Sequence, residues 1–144
     1  MKVEKAFGPL LSNYEVLTLL KEQEAYRKAQ GKMESSHVAN LSTIQFECLK
    51  YLNDSPCSVQ SAEAVSSLLT QIKDFALTKA EKLQILNLRP RSAVELHILI
   101  EECEERFEPE RLDELLEIIA ASLPHFGPEE EEEEGQDEEM DEAE

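Results

Sequence analysis

Apolar and polar positions follow the 3.6-residue period of an α-helix along most of the chain. The clearest apolar stripe, with spacings of three and four, is Ala93, Leu96, Ile100, Cys103 and Phe107. This periodicity and the helix-start signals predict six helices, at residues 13–30, 43–52, 62–76, 79–88, 93–107 and 109–123. Residues 3–7 and 37–41 are candidates for short strands, but no alternating run is long enough to require a sheet. The predicted fold class is all-α.

Four segments of the form S/T-x-x-E/Q mark predicted helix starts, at Ser12, Ser42, Thr78 and Ser92. In such a capping box the N-cap hydroxyl accepts from the amide of the third helical residue, and the Glu or Gln side chain of that residue accepts from the N-cap amide. Two of the boxes are also flanked by apolar pairs that predict hydrophobic staples: Leu11 with Val16, and Leu41 with Phe46.

A proline separates the fourth predicted helix from the fifth. Pro90 disfavours helical geometry at Arg89, so the fourth helix should end near Leu88 and the chain should restart at Ser92. The last helix begins with Pro109, in the first helical position, where a missing amide proton costs nothing.

The fifth predicted helix is apolar on more than one side. Val94, Ile98 and Leu99 extend its apolar surface beyond the stripe described above. A helix that is apolar over such a wide arc is typical of the centre of a domain. We therefore predict a central helix with neighbours on several sides.

Charge divides the chain into a body and a tail. The formal net charge is −18, but residues 128–144 hold twelve of the 32 acidic side chains and no basic one. Such a segment has no apolar face with which to offset the entropy of ordering, and we predict that it is disordered. Its role stays open between a solubilising tail and a segment that docks on a basic partner. The remaining 127 residues predict a single folded unit.

No motif in the sequence indicates catalysis, a cofactor or a metal. The four glycines form no phosphate-binding loop, and no nucleophile elbow is present. The three cysteines and three histidines also lack the spacing of metal ligands. We predict that the protein is not an enzyme and binds no cofactor.

Basic residues are too few for strong nucleic-acid binding. One small cluster, on an otherwise acidic body, consists of Lys73, Lys79, Lys82, Arg89 and Arg91. Since phosphate neutralisation drives such binding, we expect weak or no nucleic-acid binding by the chain alone. The odd cysteine count and the absence of a signal peptide or long apolar stretch predict an intracellular protein in a reducing compartment.

One long stretch resembles a known family. The segment "LTKAEKLQILNLRPRSAVELHILIEECEERF", with "LLSNYEVLTLL" before it and "RLDELLEIIAASLP" after it, is similar to the small stalk subunit of multisubunit RNA polymerases. The elements T-K-A-E, N-L-R-P and S-A-V-E-L occur in that order, and the likeness spans about residues 7–124. Within the family, the chain most resembles the form found in RNA polymerase III.

The resemblance implies a helical N-terminal partner-docking segment (1–55), an HRDC-like helical bundle (56–127) and the acidic tail (128–144). It further implies an accessory subunit without an active site, which pairs with a larger OB-fold stalk subunit, with a short N-terminal strand as a candidate pairing element. That heterodimer would support transcription initiation at genes for tRNA, 5S rRNA and other small RNAs, in the nucleus. The partner-contact residues carried over are Val3, Phe7, Leu10, Leu11, Tyr14, Leu17 and Leu20.

Two other functions stay open at this point. A free nucleic-acid-binding HRDC module is disfavoured by the acidic body. A second name used for the RNA polymerase III form suggests a cytosolic adaptor of the calcitonin gene-related peptide receptor, with a cytoplasmic or peripheral plasma-membrane pool. An apolar docking surface does not identify its partner, so the sequence leaves this alternative open.

Overall fold

The computed structural model describes residues 8–30 and 39–127. Within them the chain forms seven α-helices and two 3₁₀ turns, and none of these residues is in a strand. The helices are α1 (Asn13–Gln30), α2 (Ala39–Asn53), α3 (Ala62–Gln71), α4 (Lys79–Leu88), α5 (Ala93–Leu99), α6 (Cys103–Arg106) and α7 (Pro109–Ser122). The 3₁₀ turns are Pro56–Val59 and Ile72–Asp74. The predicted all-α class is confirmed.

Two capping boxes form as predicted, with the same geometry. The Ser12 amide donates to the Glu15 carboxylate at 2.7 Å, and the Glu15 amide donates to the Ser12 hydroxyl at 3.2 Å. The Thr78 amide donates to the Glu81 carboxylate at 2.7 Å, and the Glu81 amide donates to the Thr78 hydroxyl at 3.2 Å. These bonds satisfy amides at the starts of α1 and α4 that have no partner inside the helix.

The box at Ser92 forms only in part. Its hydroxyl accepts from the Glu95 amide at 3.4 Å, so Ser92 is the N-cap of α5. The Glu95 carboxylate, however, accepts from the Arg91 amide at 2.5 Å, one residue before the cap.

The predicted start at Ser42 is wrong. Helix α2 begins at Ala39, which places Ser42 inside the helix, where its hydroxyl accepts from Arg27 Nη1 at 3.0 Å. Leu41 and Phe46 are both exposed, so the predicted staple between them is also wrong. The candidate strand at 37–41 fails where it can be compared, because residues 39–41 are helical. Residues 37 and 38, and the candidate strand at 3–7, lie outside the described residues.

The predicted helix at 93–107 is broken into α5 and α6. Ile100 is extended (φ −108°, ψ 121°) and Glu102 is left-handed (φ 52°, ψ 39°). Arg106 fastens this break, since it donates to the Glu101 carbonyl at 2.8 Å and to the Ala76 carbonyl at 2.6 Å. A bond from a charged donor to a backbone carbonyl offsets part of the cost of leaving the helix.

The apolar stripe across the break is buried nonetheless. Leu96, Ile100 and Cys103 are buried, as is Phe107. By contrast, Val94 and Ile98 are 69% and 78% exposed. The prediction that neighbours surround this segment on several sides is therefore wrong, because only one face of α5 packs against the core.

The buried apolar side chains form two clusters of unequal size. The larger contains fourteen buried residues of the described chain, all between Leu68 and Leu123. The smaller contains four: Leu17, Leu49, Leu52 and Cys57. We call the part built on the smaller cluster, α1 and α2 with the 3₁₀ turn Pro56–Val59, the N-terminal unit, and the part from α3 to α7 the bundle.

Helix α4 connects the two parts. The Asn13 amide at the start of α1 donates to Asn87 Oδ1 at 2.9 Å. Gln60 Nε2, just after the first 3₁₀ turn, donates to the Leu86 carbonyl at 2.9 Å. Both bonds reach the last turn of α4, so the N-terminal unit lies against that end of the bundle.

Candidate partner interface

The partner-contact residues implied by the resemblance divide into three groups. Val3 and Phe7 lie outside the described residues. Leu10, which is 76% exposed, and Leu11 are open to solvent just before α1. These two side chains are available to another protein.

The remaining three residues pack within the chain. Leu17 is 3% exposed and lies in the smaller cluster with Leu49, Leu52 and Cys57. Tyr14 and Leu20 are half-buried against that cluster, because they lie three residues before and after Leu17 on the same side of α1. The Leu17 side chain is therefore core of this chain and is not free to face a partner.

A second apolar stripe, which was not predicted from the sequence, runs along α2. Leu41, Ile44, Cys48 and Tyr51 recur at spacings of three and four, and all four are exposed. Ile44 and Tyr51 are 61% and 68% exposed, although both are large. The buried residues Leu49 and Leu52 lie on the neighbouring arc of the helix. The spacing of these four residues indicates a shared helical face. This face was not identified from the sequence, because Leu41 was assigned to a hydrophobic staple before the start of the helix.

A shallow groove between α1 and α2 extends this stripe. Its apolar lining consists of Leu19, Tyr26 and Leu41, and its volume is about 470 Å³. Gln45 Nε2 donates to Gln23 Oε1 at 3.1 Å and bridges the two helices there. We call the exposed set Leu19, Tyr26, Leu41, Ile44 and Tyr51 the α1–α2 apolar surface. Contiguous exposed apolar residues of this size are typical of protein–protein contact sites.

The most strongly perturbed carboxyl group of the described chain is structural. Hydrogen bonds from Arg106, at 2.6 and 3.1 Å, and from the Thr78 amide lower the pKa of Glu81 to about 2. All of these partners stabilise the ionised form. With its oxygens occupied, Glu81 has no position for a substrate and fastens α4 to α6.

The basic cluster predicted from the sequence separates into two sets. Arg89 is buried and donates to the Leu123 carbonyl at 3.2 Å, while Arg91 donates to the Phe126 carbonyl. These arginines hold the segment that follows α7. Lys73, Lys79 and Lys82 instead line a groove of about 930 Å³ between α3, α4 and the segment before α1. We call this the lysine-rimmed groove.

Metal binding, a reactive cysteine and a membrane span find little support among residues 8–30 and 39–127. No group of three or more His, Cys, Asp or Glu side chains there is placed to hold a metal ion. Burial raises the pKa of the Cys103 thiol, which favours its neutral form. Among these same residues no helix combines the length and apolarity that a membrane span requires.

Comparison with known proteins gives consistent matches. Residues 10–123 match the family model described as RNA polymerase Rpb4. The chain is 40% identical to the DNA-directed RNA polymerase III subunit rpc9 of Schizosaccharomyces pombe, over 86% of this chain and 100% of the relative. It is 30% identical to the subunit RPC9 of Saccharomyces cerevisiae, covering 83% and 98%, and 32% identical to rpc9 of Dictyostelium discoideum, covering 84% and 88%.

The family model spans nearly all of the described helices, from the residues before α1 to the end of α7. Both the N-terminal unit and the bundle are thus parts of one family pattern. The chain belongs to the RNA polymerase Rpb4 family.

Proposed function

We propose that the chain is an accessory stalk subunit of RNA polymerase III. The observation that carries this proposal is the 40% identity to the S. pombe RNA polymerase III subunit over the whole length of that relative. The matches to S. cerevisiae and D. discoideum carry the same polymerase name. The three names describe polymerase subunits and give no support to the receptor-adaptor alternative.

The proposed partner is the larger, OB-fold stalk subunit. Its docking site on this chain comprises Leu10, Leu11 and the α1–α2 apolar surface. Exposure supports this assignment, since burial of such large apolar side chains is favourable at about 25 cal/mol per Å². Val3 and Phe7 remain proposed contacts, and the half-buried Tyr14 and Leu20 remain at the site. Leu17 is not a proposed contact, because its side chain is buried and stabilises the N-terminal unit.

In this role the subunit is non-catalytic and acts in the nucleus. It supports initiation at genes for tRNA, 5S rRNA and other small RNAs, within an enzyme whose chemistry lies in other subunits. Nucleic-acid affinity of the stalk comes mainly from the partner's barrel, since this chain carries a strongly acidic net charge.

Co-expression with the larger stalk subunit tests the docking site. The double variant Ile44→Asp, Tyr51→Asp places two charges on the α1–α2 apolar surface and should abolish co-elution on size exclusion. The matched control is Val94→Asp, Ile98→Asp, which changes two exposed apolar residues of the bundle. The control should co-elute as the wild type does. Unchanged co-elution of the first variant, with circular dichroism showing both variants folded, would remove α2 from the interface.

Mass spectrometry of chains that co-purify from cell extract tests the assembly itself. RNA polymerase III subunits should accompany the wild type and the Val94→Asp, Ile98→Asp control, and should be depleted with the α2 variant. Recovery of receptor components in place of polymerase subunits would contradict the proposed function.

A further inference from the structure

The lysine-rimmed groove combines an apolar floor with a positive rim. Val65 and Leu69 of α3 line it on one side, and Leu83 and Leu86 of α4 on the other. Leu69 remains exposed there, although its neighbour in sequence, Leu68, is buried in the larger cluster. A groove of about 930 Å³ with this lining is large enough for a short peptide segment.

The positive charge on the rim is not neutralised within the described residues. The ion pairs of that part of the chain join Lys28 to Glu24, Arg106 to Glu81 and Arg111 to Glu114. None of them involves Lys73, Lys79 or Lys82. One carboxylate, that of Glu15, also lines the groove, but it accepts from both the amide and the hydroxyl of Ser12. The groove therefore favours an acidic occupant with an apolar side chain.

The chain's own tail has this composition. Residues 128–144 contain twelve acidic side chains and no basic one, and a single large apolar side chain, Met140, lies between Glu139 and Asp141. Methionine is unbranched and adapts to irregular apolar surfaces. Residues 1–7 directly precede the part of the chain that lines this groove. They fit less well as its occupant, because they include two basic side chains, Lys2 and Lys5.

The tail begins within reach of the groove. The described chain ends beside Arg91, which donates to the Phe126 carbonyl and lies against Gly127. Five residues before Gly127, Ser122 Oγ at the end of α7 accepts from Gln71 Nε2 at 2.9 Å, and Gln71 lies between the groove residues Thr70 and Lys73. Met140 lies thirteen residues after Gly127, and a fully extended chain of that length spans about 44 Å. A domain of this size has a radius of gyration of only about 14 Å. A covalently attached segment also acts at a high effective concentration, commonly in the millimolar range.

We propose that the acidic tail of this chain docks in its own lysine-rimmed groove, with Met140 on the apolar floor and the flanking carboxylates on Lys73, Lys79 and Lys82. The contact masks the positive rim of the bundle. Because it depends on exposed charges, salt weakens it, and a strongly basic partner competes for the tail.

Paramagnetic NMR on the full chain tests the contact. A nitroxide is attached at Ala143→Cys in a Cys48→Ser background; the other two cysteines are buried. At low salt, amide signals of Leu69, Lys73 and Lys82 should lose more than about half of their intensity, and they should recover in about 0.5 M NaCl. Signal loss that is absent, uniform over the surface or centred on another region would overturn the proposal.

Matched charge variants separate this groove from general attraction to lysine. The triple variant Lys73→Glu, Lys79→Glu, Lys82→Glu should abolish the local signal loss. The control triple variant Lys21→Glu, Lys28→Glu, Lys50→Glu makes the same change in net charge on the N-terminal unit and should retain it. Equal loss of the effect in both variants would show nonspecific attraction and sink the proposal. The salt titration keeps the test decisive if the first variant fails to fold.

A mixing experiment separates the chain's own tail from that of another copy. Spin-labelled chain without ¹⁵N is mixed with ¹⁵N-labelled chain without the nitroxide. Unchanged signals support docking within one chain, whereas the same pattern of loss would assign the occupant to a second copy and overturn the proposal. The larger stalk subunit is absent from these experiments, so their outcome is independent of the proposed polymerase role.

Discussion

The N-terminal unit and the bundle use apolar residues in opposite ways. Helices α1 and α2 contain 18 and 15 residues, yet among their side chains that the structure describes only three apolar ones are buried, Leu17, Leu49 and Leu52. The bundle buries fourteen. Meanwhile the α1–α2 apolar surface leaves five large apolar residues exposed. The N-terminal unit therefore keeps on its outside much of the apolar area that the bundle places inside.

This difference has an energetic consequence. Ordering one residue of backbone costs about 1–2 kcal/mol, and burying one large apolar side chain returns about 1.5–3 kcal/mol. Burial of three or four side chains offsets only a small part of the entropic cost of ordering two helices of this length. We therefore expect the bundle, with its larger core, to supply most of the stability, and the N-terminal unit to gain from a partner that covers its surface.

The largest effect is expected in the core of the bundle. Leu96→Ala removes a side chain that is completely buried, leaves a cavity, and should destabilise the chain by about 2–5 kcal/mol. Val94→Ala, in the same helix but exposed, is the control and should change stability by less than about 0.5 kcal/mol. Chemical denaturation measures both. A loss below about 1 kcal/mol for Leu96→Ala would mean that α5 is peripheral.

The same change in the smaller cluster should act locally. Leu17→Ala should cost about 2–3 kcal/mol, at the lower end of the range for buried leucines, because a small cluster can collapse around the vacancy. Hydrogen exchange should become faster in α1 and α2 and stay unchanged in α3 to α7. Uniform acceleration throughout the chain would contradict this expectation and show that the two regions unfold as one unit.

The capping boxes at Ser12 and Thr78 should differ in how their contribution to stability depends on pH. The pKa of Glu81 is about 2 when folded, below its ordinary value of 4.5, so its stabilising contribution is complete above pH 4.5 and is lost as pH falls towards 2. Glu81→Gln should cost about 1–3 kcal/mol at neutral pH and flatten stability between pH 4.5 and 2. Glu15→Gln, in a box of the same geometry without an arginine, should have a smaller effect. Equal pH profiles for the two variants in denaturation experiments would contradict a special role for Arg106.

The smallest effect is expected at the cap of α5. Ser92→Ala removes the acceptor of the Glu95 amide and should cost about 0.5–1 kcal/mol, near the lower end for N-caps, because the bond is long at 3.4 Å and exposed. Ser92→Asp keeps an acceptor and should restore most of the loss in the same denaturation assay. No rescue by Asp would indicate that the hydroxyl contributes in another way.

Patterns of short range were enough to predict much of the fold. The boxes at Ser12 and Thr78 and the end of α4 before Pro90 depend on neighbouring residues, and the sequence identified them. The break between α5 and α6 could not be found in this way, because a broken and an unbroken helix bury the same stripe from Leu96 to Phe107. Arg106 stabilises the break through hydrogen bonds to Glu81 and Ala76, which lie 25 and 30 positions earlier in the sequence.

The interface was harder to predict than the helices. Periodicity shows which residues share a face, but it does not show whether that face meets the chain's own core or a partner. Leu17 and Ile44 are both apolar helix residues in the N-terminal unit, yet one is buried and the other exposed. That distinction depends on how α1, α2 and the turn at Pro56–Val59 pack together, which no local pattern contains.

Arg89 constrains how this chain can vary over evolution. It ends α4 in the left-handed conformation (φ 49°, ψ 65°), where glycine is usually preferred and other residues pay about 1–2 kcal/mol. Its guanidinium also holds the carbonyl of Leu123 at the far end of α7. Glycine would ease the turn but lose this link, and lysine would keep the charge but not the planar donor group. Substitutions here should therefore be accepted in relatives only together with changes at the end of α7.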